Sequence, residues 1–134
     1  MIEDILTLPE IATIDGKEYK FEYDCKAYAI METMTGKSTF EIKDLMLDNK
    51  LGITDSIEVI CAGLLRNHTD DEVKMVRTFI TENLYVINSI NMAVVNAFIK
   101  PLTPPEIYEK LVEAKNKITK AVKEVKKNKK SPKT

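Results

Sequence analysis

Cysteine, glycine and histidine are scarce in this 134-residue chain, at two, four and one residues. Cys25 and Cys61 stand too far apart for a CxxC pair and are too few for a disulfide framework, which excludes a small secreted scaffold and points to a reducing compartment. The single histidine, His68, leaves no HxxxH pair for zinc. No apolar run approaches the roughly 18 residues that span a bilayer, and the opening MIEDILTLPEI is acidic where a signal peptide is basic, so neither export nor a membrane anchor is expected. With only four glycines and five prolines, helix formers outnumber helix breakers. A hydrophobic share of 44% suffices for one core of ordinary size.

The net charge of −1 hides an asymmetry. Residues Lys115 to Thr134 carry nine lysines and one acid, Glu124, leaving 11 basic and 20 acidic residues in the preceding part. The body is acidic and the tail basic. Such a tail is suited to its own body, to an acidic partner or to nucleic acid, always through forces that salt screens.

Two short runs rich in β-branched and aromatic residues, Ile11 to Ile14 and Lys17 to Tyr23, flank Asp15-Gly16, a dipeptide that tolerates the positive φ angles of a tight turn. This predicts a β-hairpin with Tyr19, Phe21 and Tyr23 on one apolar face. Asp24 is the expected cap of a first helix carrying Ala27, Ile30, Met31 and Met34 and stopped by Gly36. A short helix with Phe40, Ile42, Leu45 and Met46 follows Ser38, then a loop over Asn49 to Gly52. Thr54 is the expected cap of the next helix, whose stripe of Ile57, Ile60, Cys61, Leu64 and Leu65 marks it as core. Thr69-Asp70-Asp71-Glu72 has the pattern of a capping box ahead of Val73, Val76 and Ile80.

After a break near Asn83, the spacing of Leu84, Ile87, Ile90, Val94 and Phe98 predicts one further helix. Val86, Val95 and Ile99 widen its apolar surface beyond a stripe, which makes it either central or partly reserved for a partner. Pro101, Pro104 and Pro105 mark a boundary. Beyond it Ile107, Leu111, Ala114, Ile118, Ala121 and Val125 alternate four and three apart, the seam of a short coiled coil or of a helix laid in a groove. The run KKNKKSPKT has no apolar residue and is expected to be disordered. The expected class is therefore α+β, mainly α: an N-terminal hairpin packed on about five helices (residues 1–102), a C-terminal amphipathic helix (103–127) and a basic tail (128–134).

No constellation points to catalysis. MTGKS, Met34 to Ser38, ends like a phosphate-binding loop, but Met31 stands where the first glycine belongs and the preceding segment is helical in pattern, so a helix C-cap followed by an N-cap is the better reading. Cys61 and His68 lack ligand spacing, and His68 is better placed at a helix end, where partial positive charge is favoured. Cys61 lies on a core stripe, and Cys25 has no identifiable base. No enzymatic role, cofactor or metal is expected. The tail has neither Arg nor any aromatic after Tyr108, which argues against specific nucleic-acid recognition; loose attachment through lysines is the alternative, as in a small accessory nucleic-acid-binding protein. The last helix lacks the bulky anchors for membrane insertion.

The segment IATIDGKEYKFEYDCKAYAIMETMTGKSTFEI, Ile11 to Ile42, carries more information than any one motif. It resembles the N-terminal part of tail assembly chaperones of long-tailed bacteriophages: a hairpin around DGK, an aromatic-acidic strand end, and a helix finishing in E-x-x-T-G-K-S, here Glu32, Thr35, Gly36, Lys37 and Ser38. The helix IEVICAGLLRNH and the capped helix at Thr69 continue the likeness, which covers Ile11 to Leu102; the final helix and lysine tail fall outside it. The resemblance implies a non-enzymatic protein of the host cytoplasm that binds the tape measure protein, recruits tail tube subunits and is lost from the finished tail. Its expected contacts, to those partners or to a second copy, are Leu84, Ile87, Val95, Phe98 and Ile99 on one helix and Ile107, Leu111, Ile118 and Val125 on the seam.

Overall fold

A paired reversal at Asp15 and Gly16, with φ of 51° and 75°, opens the fold and joins β1 (Glu10–Ile14) to β2 (Lys17–Phe21). Both positions need positive φ, as Asp-Gly permits. The strands pair antiparallel, Ile14 with Lys17 through Glu10 with Phe21. The computed structural model describes residues 10–107, 109–110 and 113–114.

Between Cys25 and Ile99 six helices follow, separated where the sequence offers caps. Asp24 accepts the Ala27 N–H at 2.8 Å to start α1 (Cys25–Thr35), and Gly36 at φ 71° ends it. Ser38 caps α2 (Thr39–Leu47) through Glu41 N–H. Helix α3 (Ile53–Leu64) begins two residues earlier than expected: Gly52, not Thr54, is the N-cap, and Ser56 Oγ donates back to Gly52 C=O at 2.8 Å. Thr69 and Glu72 form the reciprocal capping box of α4 (Asp70–Glu82).

Where one helix was expected from Leu84 to Ile99 there are two, α5 (Tyr85–Ser89) and α6 (Asn91–Ile99), ahead of a 3₁₀ turn at Lys100–Leu102. The helix bends at Ile90, which takes φ −103° and ψ 5°. Its neighbours Asn88, Ser89 and Asn91 are weak helix formers, and Ser89 Oγ donates to Val86 C=O at 2.9 Å alongside the Ile90 N–H at 3.0 Å.

Helix α3 is the hub, packing on α1, α4, α6 and β2. Ile57 and every residue from Val59 to Leu64 are buried, so α3 is apolar on nearly all sides and not along one stripe. Gly63 lets the Tyr23 ring lie against the helix backbone: a Cβ there would come within 2.7 Å of the ring. Tyr23 is held by its hydroxyl, which donates to Val59 C=O at 2.6 Å. Phe98 stands edge-on to Tyr23 and Tyr28, with centroids 5.1 and 5.3 Å away, and Tyr28 OH donates to Phe98 C=O at 2.7 Å. Full burial of each such side chain contributes about 1.5–3 kcal/mol. This aromatic junction ties the strand end and α1 to α6.

The molecule is thus mainly helical with an N-terminal antiparallel hairpin. Of the described residues, 10–102 form one compact unit, and those from 103 to 114 belong to a second, in which 105–107, 109–110 and 113–114 have helical backbone. Leu111, Ile118 and Val125 of the seam, and the lysine tail, lie outside the described residues.

Candidate functional site

A cleft opens where three segments meet. The loop after α2 reverses at Asn49, with φ 56°, and Lys50 N–H donates to Leu45 C=O at 2.8 Å. This sets Leu51 and Ile53 beside Met46. The first two turns of α3 add Ser56, Val59 and Ile60, and the bend at Ile90 aligns Leu84, Ile87 and Asn88 of the α5 segment with Asn91 and Val94 of α6. The cleft encloses about 190 Å³.

Its floor is Val59, Ile60 and Val94, all buried, while Ile53 and Leu84 at its mouth are 56% and 46% exposed. Three exposed amides, Asn49, Asn88 and Asn91, stand among the lining residues and offer both donors and acceptors. No lining side chain is charged or acidic, and the Ser56 hydroxyl donates to Gly52 C=O with no base in the lining to activate it. The cleft is therefore equipped to hold an apolar side chain flanked by polar groups, and it lacks the groups for acid-base or nucleophilic chemistry.

The residues of the loop-like MTGKS stretch have structural partners. In MTGKS, Gly36 is a C-cap, Lys37 Nζ pairs with Asp55 at 2.8 Å, and Ser38 is an N-cap. Glu32 reaches across this corner and accepts from both the backbone N–H and the hydroxyl of Thr39, at 2.7 and 3.0 Å. The E-x-x-T-G-K-S element is thus a helix-to-helix corner. Burial pushes the Cys61 thiol up to about 11, whereas Cys25 is exposed. Among the described residues no group of three or more His, Cys, Asp or Glu is arranged to hold a metal ion, and no helix is long and apolar enough to cross a membrane.

His68 sits at the end of α3, its N–H donating to Leu64 C=O at 3.1 Å, and its ring has further partners. Its Nε2 accepts the Lys20 backbone N–H at 3.0 Å, which requires an unprotonated nitrogen there. Its ring lies 5.1 Å from that of Tyr19, and its Nδ1 is 3.6 Å from Glu72 Oε2. Lys17 Nζ meets the same carboxylate oxygen at 2.7 Å, so hairpin and α4 are joined at one point. The Lys17 hydrogen bond, then the Thr69 backbone, hold the Glu72 carboxyl down at about 2.

Of the contacts expected from sequence, Leu84 and Ile87 line the cleft. Val95 and Ile99 are half-buried on α6 and do not line it. Phe98 is 0% exposed and locked in the aromatic junction, so it is a core residue and not a partner contact. The apolar spacing misled because the inward face of α5 and α6 runs through Val86, Ile90, Val94 and Phe98. Ile107 is exposed, in the second unit. Met46, Leu51, Ile53 and the three asparagines were missed; the cluster Asn88, Ser89, Asn91 inside an apolar helix was the available signal. No family model, curated protein or solved structure matches the chain.

Proposed function

We propose that this chain is a non-enzymatic assembly chaperone whose cleft grips one apolar face of an amphipathic helix in a long helical client. The client we assign is the tape measure protein of a long-tailed phage, with the tail tube subunit as the next component recruited. The observation that carries this reading is the cleft itself: an apolar floor, two half-exposed aliphatic residues at the mouth, amides around it, and no charged lining residue. At about 190 Å³ it falls below the roughly 300–1,000 Å³ typical of small-molecule sites, and it suits a side chain or two projecting from a helix. Helix-in-groove recognition needs such a slot for the anchoring residue and polar groups for the flanks. The order of elements from the hairpin through the Glu32 to Ser38 corner supports the phage-tail assignment by resemblance. On this reading the protein acts in the host cytoplasm and leaves before the virion is complete.

Co-expression tests it. A tape measure protein that aggregates alone should stay soluble and co-purify with this chain, and Leu84→Asp with Ile53→Asp should abolish both effects while leaving the circular dichroism unchanged. Retained co-purification by that double variant would refute the cleft as the gripping site.

A further inference from the structure

The two edges of the hairpin are treated differently. In this register Ile14 with Lys17, Ala12 with Tyr19 and Glu10 with Phe21 exchange the hydrogen bonds between the strands, so the backbone groups of Ile11 and Thr13 on β1, and of Glu18, Lys20 and Glu22 on the β2 side, point outward. On the β2 side two outward donors are taken up: Lys20 N–H by His68 Nε2 at 3.0 Å and Glu22 N–H by Gly63 C=O at 2.9 Å. On the β1 side, among the described residues, the outward N–H and C=O of Ile11 and Thr13 have no partner. Both side chains are also exposed, Ile11 at 50%.

Edges left open in this way are ordinarily guarded by lysine, proline or a bulge. Here β2 carries Lys17, Glu18 and Lys20, whereas the middle of β1 is Ile11-Ala12-Thr13, uncharged and largely β-branched. An unguarded strand edge recognises one kind of chemistry, an extended backbone presenting the complementary row of donors and acceptors.

We propose that the β1 edge is the interface between two copies of this chain, paired antiparallel about a twofold axis through Ala12 into a four-stranded sheet. The register follows from the groups available. With Ala12 opposite its own copy, Ile11 faces Thr13 of the second copy and Thr13 faces Ile11, and each pair exchanges two hydrogen bonds, which uses all four outward groups with none left over. The neighbouring symmetric registers fail. Centring on Ile11 sets Thr13 opposite Pro9, which has no N–H to give, and centring on Thr13 sets Ile11 opposite Asp15, where the strand has already turned at φ 51°. No like charges meet at the seam. A two-stranded hairpin also gains most from this extension, because sheets of so few strands are marginal.

The test uses the full chain. Sedimentation should show a concentration-dependent species of twice the 15.2 kDa chain mass. Thr13→Pro removes an N–H that the hairpin itself does not use, and Ile11→Lys adds the missing guard; each should shift the population to monomer with unchanged circular dichroism. Hydrogen exchange supplies the residue-level readout: the Ile11 and Thr13 amides should become protected as concentration rises, while Ala12 and Ile14 are protected throughout. A dimer that survives Thr13→Pro, or a chain that stays monomeric with both amides in fast exchange, would overturn the proposal. Protection of these amides only on addition of a different protein, with this chain still monomeric, would also overturn it and give the edge to that protein's strand.

Discussion

Gly63→Ala offers the sharpest check on how α3 organises the core. On an ordinary helix this change is favourable by about 1 kcal/mol, because alanine restricts the unfolded chain and glycine does not. Here the new Cβ would sit 2.7 Å from Cζ and Oη of Tyr23, well inside van der Waals contact. The ring has little room to retreat: it is buried, stacked on Tyr28 with centroids 5.6 Å apart, edge-on to Phe98, and tethered to Val59 C=O. Overpacking of this kind costs about 1–3 kcal/mol, and displacing the hydroxyl from its acceptor adds about 1 kcal/mol. After the helix gain is subtracted, the net loss should be about 2 kcal/mol. For a unit of this size that is a fall in Tm of roughly 8–16 °C, measured by calorimetry or circular dichroism. The cause can be isolated in a double-mutant cycle. In a Tyr23→Phe background the ring loses its tether and its outermost atom, so the same glycine change should cost about 1 kcal/mol less. An equal or higher Tm for Gly63→Ala, or strict additivity with Tyr23→Phe, would refute the packing described around α3.

The Lys17 and Thr69 contacts that depress Glu72 to about 2, against an ordinary 4.5, make a pH prediction. Because the folded value lies below the unfolded one, the stabilisation is fully present above pH 4.5 and is lost as pH falls towards 2. The Tm difference between wild type and Glu72→Gln should therefore be constant near neutrality and close over that window; a difference that widens on acidification would contradict the assignment. Burial of Cys61 predicts that a thiol reagent near pH 8 modifies Cys25 quickly and Cys61 only on unfolding. Equal rates for the two would show that α3 opens readily. Phe98→Ala should lower stability by about 3–5 kcal/mol, as expected for a fully buried aromatic, and a loss of partner binding without loss of stability would restore Phe98 to the surface.

Much of the fold was legible because its signals are local. Asp15-Gly16 can satisfy a two-residue turn by itself, Thr69 and Glu72 need only each other to make a capping box, and Gly36 ends α1 by adopting a backbone angle that few residues tolerate. The alternation of Tyr19, Phe21 and Tyr23 likewise identified the buried face of the hairpin. The cleft was not legible in this way. Its walls come from α2, the loop after it, α3, the α5 segment and α6, and no local pattern states that Ile53 and Leu84 will line the same cleft. The α5 and α6 region was misread for a related reason. When apolar residues cover most of a helix, their spacing fits several faces at once, and only packing decides that Phe98 goes inward while Leu84 stays at the mouth. At the bend at Ile90, which sets those faces, the Ser89 hydroxyl and the Ile90 N–H both donate to Val86 C=O.

The most direct test of helix gripping is a methyl NMR titration of the full chain with a synthetic amphipathic helix of about 18 residues, or five turns, carrying leucine at i, i+4 and i+7. Saturable shifts at Ile53, Leu84 and Ile87, with Ile80 and Leu64 unmoved and the response abolished by Leu84→Asp, are the predicted result. Shifts absent from the cleft, or unchanged by Leu84→Asp, would contradict it.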